Sequence, residues 1–282
     1  MDYNTFIKIY YKHRLAKASR IRYFILLFFL PLIYIVNKFL DQKIVDLDLL
    51  GEKNAQLFDK DLNYLFEYFG SDKGINFVNQ YQKPLNRSKI KIQGHDYGKY
   101  YEQFFFQFKE KKINILEIGA FRGNASAAFY FYFPHSNIES YDLFPDLFCF
   151  TSMRNKNFYL DNSSEQMLEE KIIKKDKLFD IIIEDAGHYY KDQIITLFKT
   201  FKKLRSSGIY VVEELDFPDS RKDMNINNEH PTLREILNKI KKGEKFSSEL
   251  VSESEKNYFL KNFDKIEILK GRVNEICFIK KK

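Results

Sequence analysis

Cysteine is scarce in this sequence of 282 residues. Only Cys149 and Cys277 occur, far apart, and no C-x-x-C or Cys/His spacing offers a zinc site. Reduced thiols in a cytosolic protein are the simpler reading, although a disulfide stays open. No internal repeat or low-complexity tract is present, so a repeat architecture is not expected. A basic excess is missing from most of the chain as well. The formal net charge is +7, and residues 1–22 account for +5 of it, with Lys8, Lys12, Arg14, Lys17, Arg20 and Arg22 against Asp2 alone. The other 260 residues carry 40 basic and 38 acidic side chains. A nucleic-acid enzyme more often spreads its basic residues over the core domain, so no nucleic-acid partner is expected. What is present is a globular balance, 44% apolar and 30% charged, in a length that suits one domain of about 200 residues plus an appendage, or two small domains.

The N-terminal segment, residues 1–40, needs its own account. Tyr23 to Asn37 is a run of fifteen uncharged, mostly apolar residues, flanked by Arg20 and Arg22 before and by Lys38 after. As a helix the run is about 22 Å long, short of a hydrocarbon core about 30 Å thick, and Pro31 near its middle would kink it. A small-residue cleavage site is absent, which argues against a signal peptide. Two readings remain: a buried helix of a soluble protein, or attachment to an anionic membrane surface from its cytoplasmic face. The second is preferred, because the run is apolar all round and six cations lie in residues 1–22.

Residues 41–60 read as a charged linker or short helix, and the part from 41 to 111 as a linker plus helical segments. From residue 112 to 282 strands and helices alternate. Apolar runs at 113–118, 138–141, 158–160, 179–183 and 208–212 read as strands, with helices at 125–133 and 193–204. Two strands at 266–269 and 276–279 flank the tight turn Lys270-Gly271-Arg272. The pattern predicts an α/β fold: a Rossmann-like, doubly wound, mostly parallel seven-stranded sheet with a terminal antiparallel hairpin, plus the N-terminal apolar helix. Ligands of such sheets bind beyond the carboxyl ends of the strands, where acidic residues converge here.

After the first strand comes Glu117-Ile118-Gly119-Ala120-Phe121-Arg122-Gly123. The nicotinamide fingerprint G-x-G-x-x-G is absent, because position 121 is Phe. The E-x-G-x-x-x-G that stands there resembles the first motif of class I methyltransferases, in which the acidic residue and glycine loop face the methionine half of S-adenosylmethionine. Asp142 ends the second strand, where a carboxylate can accept both ribose hydroxyls, and Asp161-Asn162 after the third can contact the adenine edge. The plainer reading is a Rossmann-like domain that binds another nucleotide, or none.

The fourth strand ends in Glu184-Asp185-Ala186-Gly187-His188 and the fifth in Glu213-Glu214. Neighbouring strand ends would bring Asp185, Glu213 and Glu214 around one point. Carboxylates that close repel one another unless a cation joins them, and oxygen ligands with room for water suit Mg²⁺ or Mn²⁺. Such an ion could hold two vicinal hydroxyls, with His188 as the general base. Alternatively, His188 caps a helix and the glutamates are solvated surface charges.

Gly-Ser-Asp-Lys-Gly (70–74), His95-x-Tyr97, Leu-Glu-Ile-Gly (116–119), Asp-x-x-His (185–188) and Glu-Glu-Leu (213–215) occur in this order. The set resembles the metal-dependent macrolide sugar O-methyltransferases, the mycinamicin/tylosin O-methyltransferase family, over about residues 62 to 216. The resemblance implies Asp185, Glu213 and Glu214 as magnesium ligands and His188 as base, acting on a small-molecule or glycan hydroxyl. The family's acidic pair is usually Glu-Asp, here Glu-Glu, and the N-terminal apolar run is no part of its pattern. Two other readings stay open: methylation of a non-sugar hydroxyl, and a non-catalytic, membrane-associated nucleotide-binding protein. A homo-oligomer is compatible with all three.

Overall fold

The structure, a computed structural model, describes residues 19–40, 44–78 and 91–282. Seven strands form its main sheet: β1 (Asn114–Ile118), β2 (Asn137–Asp142), β3 (Asn155–Tyr159), β4 (Phe179–Glu184), β5 (Leu204–Val212), β6 (Phe263–Lys270) and β7 (Glu275–Lys281). Their order across the sheet is β3-β2-β1-β4-β5-β7-β6. The pairs from β3 through β5 are parallel, and β7 runs antiparallel to both β5 and β6. The sheet is therefore mixed, with its one reversed strand in the closing hairpin that the Lys270-Gly271-Arg272 turn predicts. The chain runs outward from β1 to β3, then returns to β4 on β1's other side. That reversal opens a crevice at the carboxyl ends of β1 and β4.

The described helices of seven or more residues are α1 (Arg20–Leu40), α2 (Leu47–Lys53), α3 (Leu62–Phe69), α4 (Gly98–Phe105), α5 (Asn124–Tyr132), α6 (Tyr190–Thr200), α7 (Leu233–Lys241) and α8 (Glu253–Asn262). The sheet divides two apolar cores, and β4 shows how. Its Ile181 and Ile183 join Phe66, Tyr101 and Phe129 on one face, while Ile182 joins Leu197, Leu237 and Phe259 on the other. This is the two-residue alternation of a strand whose faces are both covered, which explains why the run is apolar throughout. Helix α5 is buried from Ala125 to Tyr132 because it lies between the sheet and α3.

Two strands extend beyond their apolar runs. β5 begins at Leu204, four residues before Gly208, because Leu204 pairs with Phe179 ahead of a bulge and leaves Arg205–Ser207 exposed. β3 begins at Asn155 because an edge strand tolerates polar residues. Residues 44–60, expected as linker or short helix, hold α2, capped by the Asp46 carboxylate, and Leu47 and Leu57 are buried in the aromatic core. Residues 1–18, which carry four of the six N-terminal cations, lie outside the described residues. The apolar run lies in α1, with Pro31 inside it, and among the described side chains of this helix only Leu30 is buried. Among the described residues no helix is long and apolar enough to cross a membrane.

Candidate active site

The segments after β1, β2, β4 and β5 open onto one pocket of about 760 Å³. That volume accommodates a cofactor-sized ligand. Of the ten residues singled out in the sequence, nine line it: Glu117, Gly119, Asp142, Asp161 and Asn162 toward one end, Asp185, His188, Glu213 and Glu214 toward the other. Gly123 is the tenth. It is the N-cap of α5 and takes a left-handed conformation (φ +78°) beneath the Phe148 ring.

At Gly119 the reason for glycine is steric. Its φ is +96°, and a β-carbon there would overlap the carbonyl oxygen and carbon of Asp185. Phe121, His188 and Glu214 also have positive φ, +46°, +53° and +49°, without being glycines. Backbone held in this region costs about 1–3 kcal/mol per residue and collects at sites where side chains must be aimed.

Asp142 is fixed by two backbone amides: Phe121 N–H donates to Oδ2 at 2.7 Å and Phe144 N–H to Oδ1 at 2.7 Å. Asp161 accepts from the Ser163 amide at 3.2 Å and from its hydroxyl at 2.5 Å, and Asn162 reaches toward Thr196. Glu117 is buried, accepts a hydrogen bond from the Ser126 hydroxyl, and is pushed up to about 7 by burial, against the opposing pull of Lys73.

The other end is a cluster of ionisable groups under little solvent. The Lys73 ammonium, 2% exposed, touches the Asp185 carboxylate and lies 2.9 Å from Glu213. Burial works against its charge, yet Asp185 and Glu213 outweigh burial and hold Lys73 protonated. The Tyr101 hydroxyl donates to Glu213 as well. Glu214 faces the other way: His188 Nε2 lies 2.6 Å from Oε2 and His95 Nε2 3.1 Å from Oε1. Burial alone would lower the His188 imidazole, but Glu214 and then Asp185 raise it to about 10, and His188 in turn holds Glu214 well below the usual carboxylate range.

One oxygen each from Asp185 and Glu214 and a ring nitrogen of His188 lie within 4.8 Å of one another. The donor set fits a divalent cation: two carboxylates already face a positive charge, which a proton on His188 supplies here. The sequence grouped Glu213 with Asp185 and Glu214. In the structure the Glu213 carboxylate is turned to Lys73 and Tyr101, and His188 completes the converging trio. Lys73, His95 and Tyr101 received no role from the sequence. Lys73 and His95 stand within the motifs quoted above, but Tyr101 lies in an ordinary amphipathic helix, and no local signal marks it.

No family model and no curated protein matches this chain. Solved structures do. The MycE methyltransferase from the mycinamycin biosynthetic pathway, in complex with Mg and SAH, matches with a TM-score of 0.59 at 17% identity, covering 79% of this chain and 55% of MycE. The same enzyme with Mg, SAH and mycinamycin VI matches with a TM-score of 0.56 at 16% identity, covering 79% of this chain and 54% of that one. This chain thus spans about half the length of MycE. At such identity the likeness shows a shared fold, the one expected from the strand and helix pattern.

Proposed function

We propose that this protein is an S-adenosylmethionine-dependent O-methyltransferase that methylates a sugar hydroxyl with the help of Mg²⁺ or Mn²⁺. One observation carries the reading: a single pocket joins the glycine loop and Asp142 to the Asp185–His188–Glu214 trio. Cofactor end and acceptor end therefore open into one space. The bound SAH, Mg and mycinamycin VI of MycE support it.

When bound, S-adenosylmethionine supplies a methyl carbon on a sulfonium, and the divalent ion supplies positive charge beside the acceptor oxygen. The chain's own residues do the rest. Asp142, held by two amides, accepts the ribose hydroxyls. Gly119 lets the backbone approach the methionine half, and Asp161 and Asn162 meet the adenine edge. Asp185 and Glu214 hold the ion, with Glu213 beside them. Once an ion held by Asp185 and Glu214 replaces the proton that His188 carries here, the neutral imidazole would take the proton of the acceptor hydroxyl as its oxygen receives the methyl group.

The converging trio favours a second assignment, in which His188 is a metal ligand. One ring nitrogen cannot both bind the ion and take the proton. Nitrogen coupling in the electron-spin-echo spectrum of bound Mn²⁺ would assign His188 as ligand, and its absence would leave His188 as base. The function itself is tested by titrating S-adenosylhomocysteine with and without Mg²⁺ and then assaying methyl transfer to sugar-bearing and catechol acceptors. Binding of NAD in place of S-adenosylhomocysteine would refute the methyltransferase reading. Turnover of catechols alone would refute the sugar.

A further inference from the structure

Helix α1 carries an apolar face that is exposed among the described residues. Nine of its large apolar side chains are exposed, Phe28 by 79% and Ile21 by 78%. Ile21, Phe24, Ile25, Phe28, Leu32 and Ile35 recur at helical spacing, and the face they form spans about 100° of arc at 100° per residue. The opposite side is the covered one: Leu30 is buried, and Tyr23, Leu26, Ile33 and Tyr34 are half-buried. Soluble monomers rarely expose a contiguous apolar patch of this kind, and such patches mark docking sites.

Charge selects the occupant. Arg20 and Arg22 fall on the two borders of the exposed face, and residues 20–40 contain no acidic side chain. A second copy of the helix would offer these cations no counter-charge. An anionic lipid surface offers both a hydrocarbon boundary for the apolar stripe and negative charge for its borders. The helix is not long and apolar enough to cross.

We propose that α1 lies in the plane of an anionic membrane surface, with the Ile21–Ile35 stripe in the acyl boundary and Arg20 and Arg22 at the headgroups. The sequence adds Lys8, Lys12, Arg14 and Lys17 just ahead of this face. The inference is independent of the methyl-transfer reading, because it uses no residue of the pocket.

Co-sedimentation of the full chain with vesicles tests it. The chain should pellet with phosphatidylcholine vesicles that contain phosphatidylserine and stay largely in solution with phosphatidylcholine alone. Joint Arg20→Gln and Arg22→Gln substitution should weaken partitioning roughly 20- to 30-fold, the worth of two cations near such a surface. Joint Phe24→Ser, Phe28→Ser and Leu32→Ser substitution should weaken it about 100-fold or more. These side chains are exposed, and an unchanged circular dichroism spectrum would show that the variants fold. Failure to pellet with phosphatidylserine vesicles would overturn the proposal. So would equal binding to both vesicle types, or a dimer in light scattering that the serine variant dissolves while the chain stays off vesicles.

Discussion

Lys73 and Glu213 lie 140 residues apart in the sequence and 2.9 Å apart in the structure, both almost fully buried. The pair ties the segment ahead of the sheet to the end of β5. Removing Lys73 strips Glu213 and Asp185 of the buried ammonium they share, and breaking a buried pair in this way typically costs about 3–5 kcal/mol. Lys73→Met should therefore lower the unfolding free energy by about that amount in a urea titration. Adding Glu213→Gln to it should recover part of the loss, since the two act on one interaction. Additive losses in the double variant would show that the contact is not the source.

Cofactor affinity should depend on Asp142. Wild-type binding of S-adenosylhomocysteine in the micromolar range corresponds to about −8 kcal/mol. Asp142→Ala removes a carboxylate held at the end of β2 and should weaken binding by about 1–3 kcal/mol in calorimetry. An unchanged enthalpy and affinity would place the ribose elsewhere.

His188→Ala should lower kcat by about 10²- to 10⁴-fold, with S-adenosylhomocysteine affinity nearly unchanged. Excess chelator should abolish turnover of the wild type, and Mg²⁺ should restore it. If the alanine variant also loses Mn²⁺ affinity, the imidazole acts through the metal. Wild-type kcat in the variant would remove His188 from the chemistry.

Glu117 gives a pH dependence whose sign follows from burial. Its folded-state pKa, about 7, lies above the ordinary value of 4.5. Below pH 4.5 the carboxyl is protonated folded and unfolded, and contributes no pH dependence. Between 4.5 and 7 the folded protein keeps a proton that the unfolded chain releases, so this group's contribution to stability falls as pH rises. Glu117→Gln should flatten that part of the melting-temperature profile. A profile identical to wild type would mean that the carboxylate is already ionised at low pH in the fold.

The sheet was legible because β4 and its neighbours are covered on both faces, and burial on two faces writes a continuous apolar run. The strand-end acids were legible for a related reason. Asp142, Asp161, Glu184-Asp185 and Glu213-Glu214 follow directly on apolar runs, and a parallel sheet brings such ends to one edge. What stayed hidden was pairing at long range. Nothing near Lys73 announces Glu213, and nothing near Tyr101 announces it either, so the sequence assigned Glu213 as a ligand without seeing its competing partners. Strand starts were hidden where exposed residues such as Arg205–Ser207 still take part in a ladder.

The contact of Gly119 with the Asp185 carbonyl has a consequence for any genetic dissection of this site. No side chain separates the glycine loop from the β4 end, so the two halves of the pocket share one backbone wall. Position 119 is thus a common hinge pin. Gly119→Ala should push the Asp185 main chain aside and lower S-adenosylhomocysteine affinity and Mn²⁺ affinity together, whereas Asp142→Ala should touch only the first. A lesion at this glycine would look like two defects in an assay and be one in the chain.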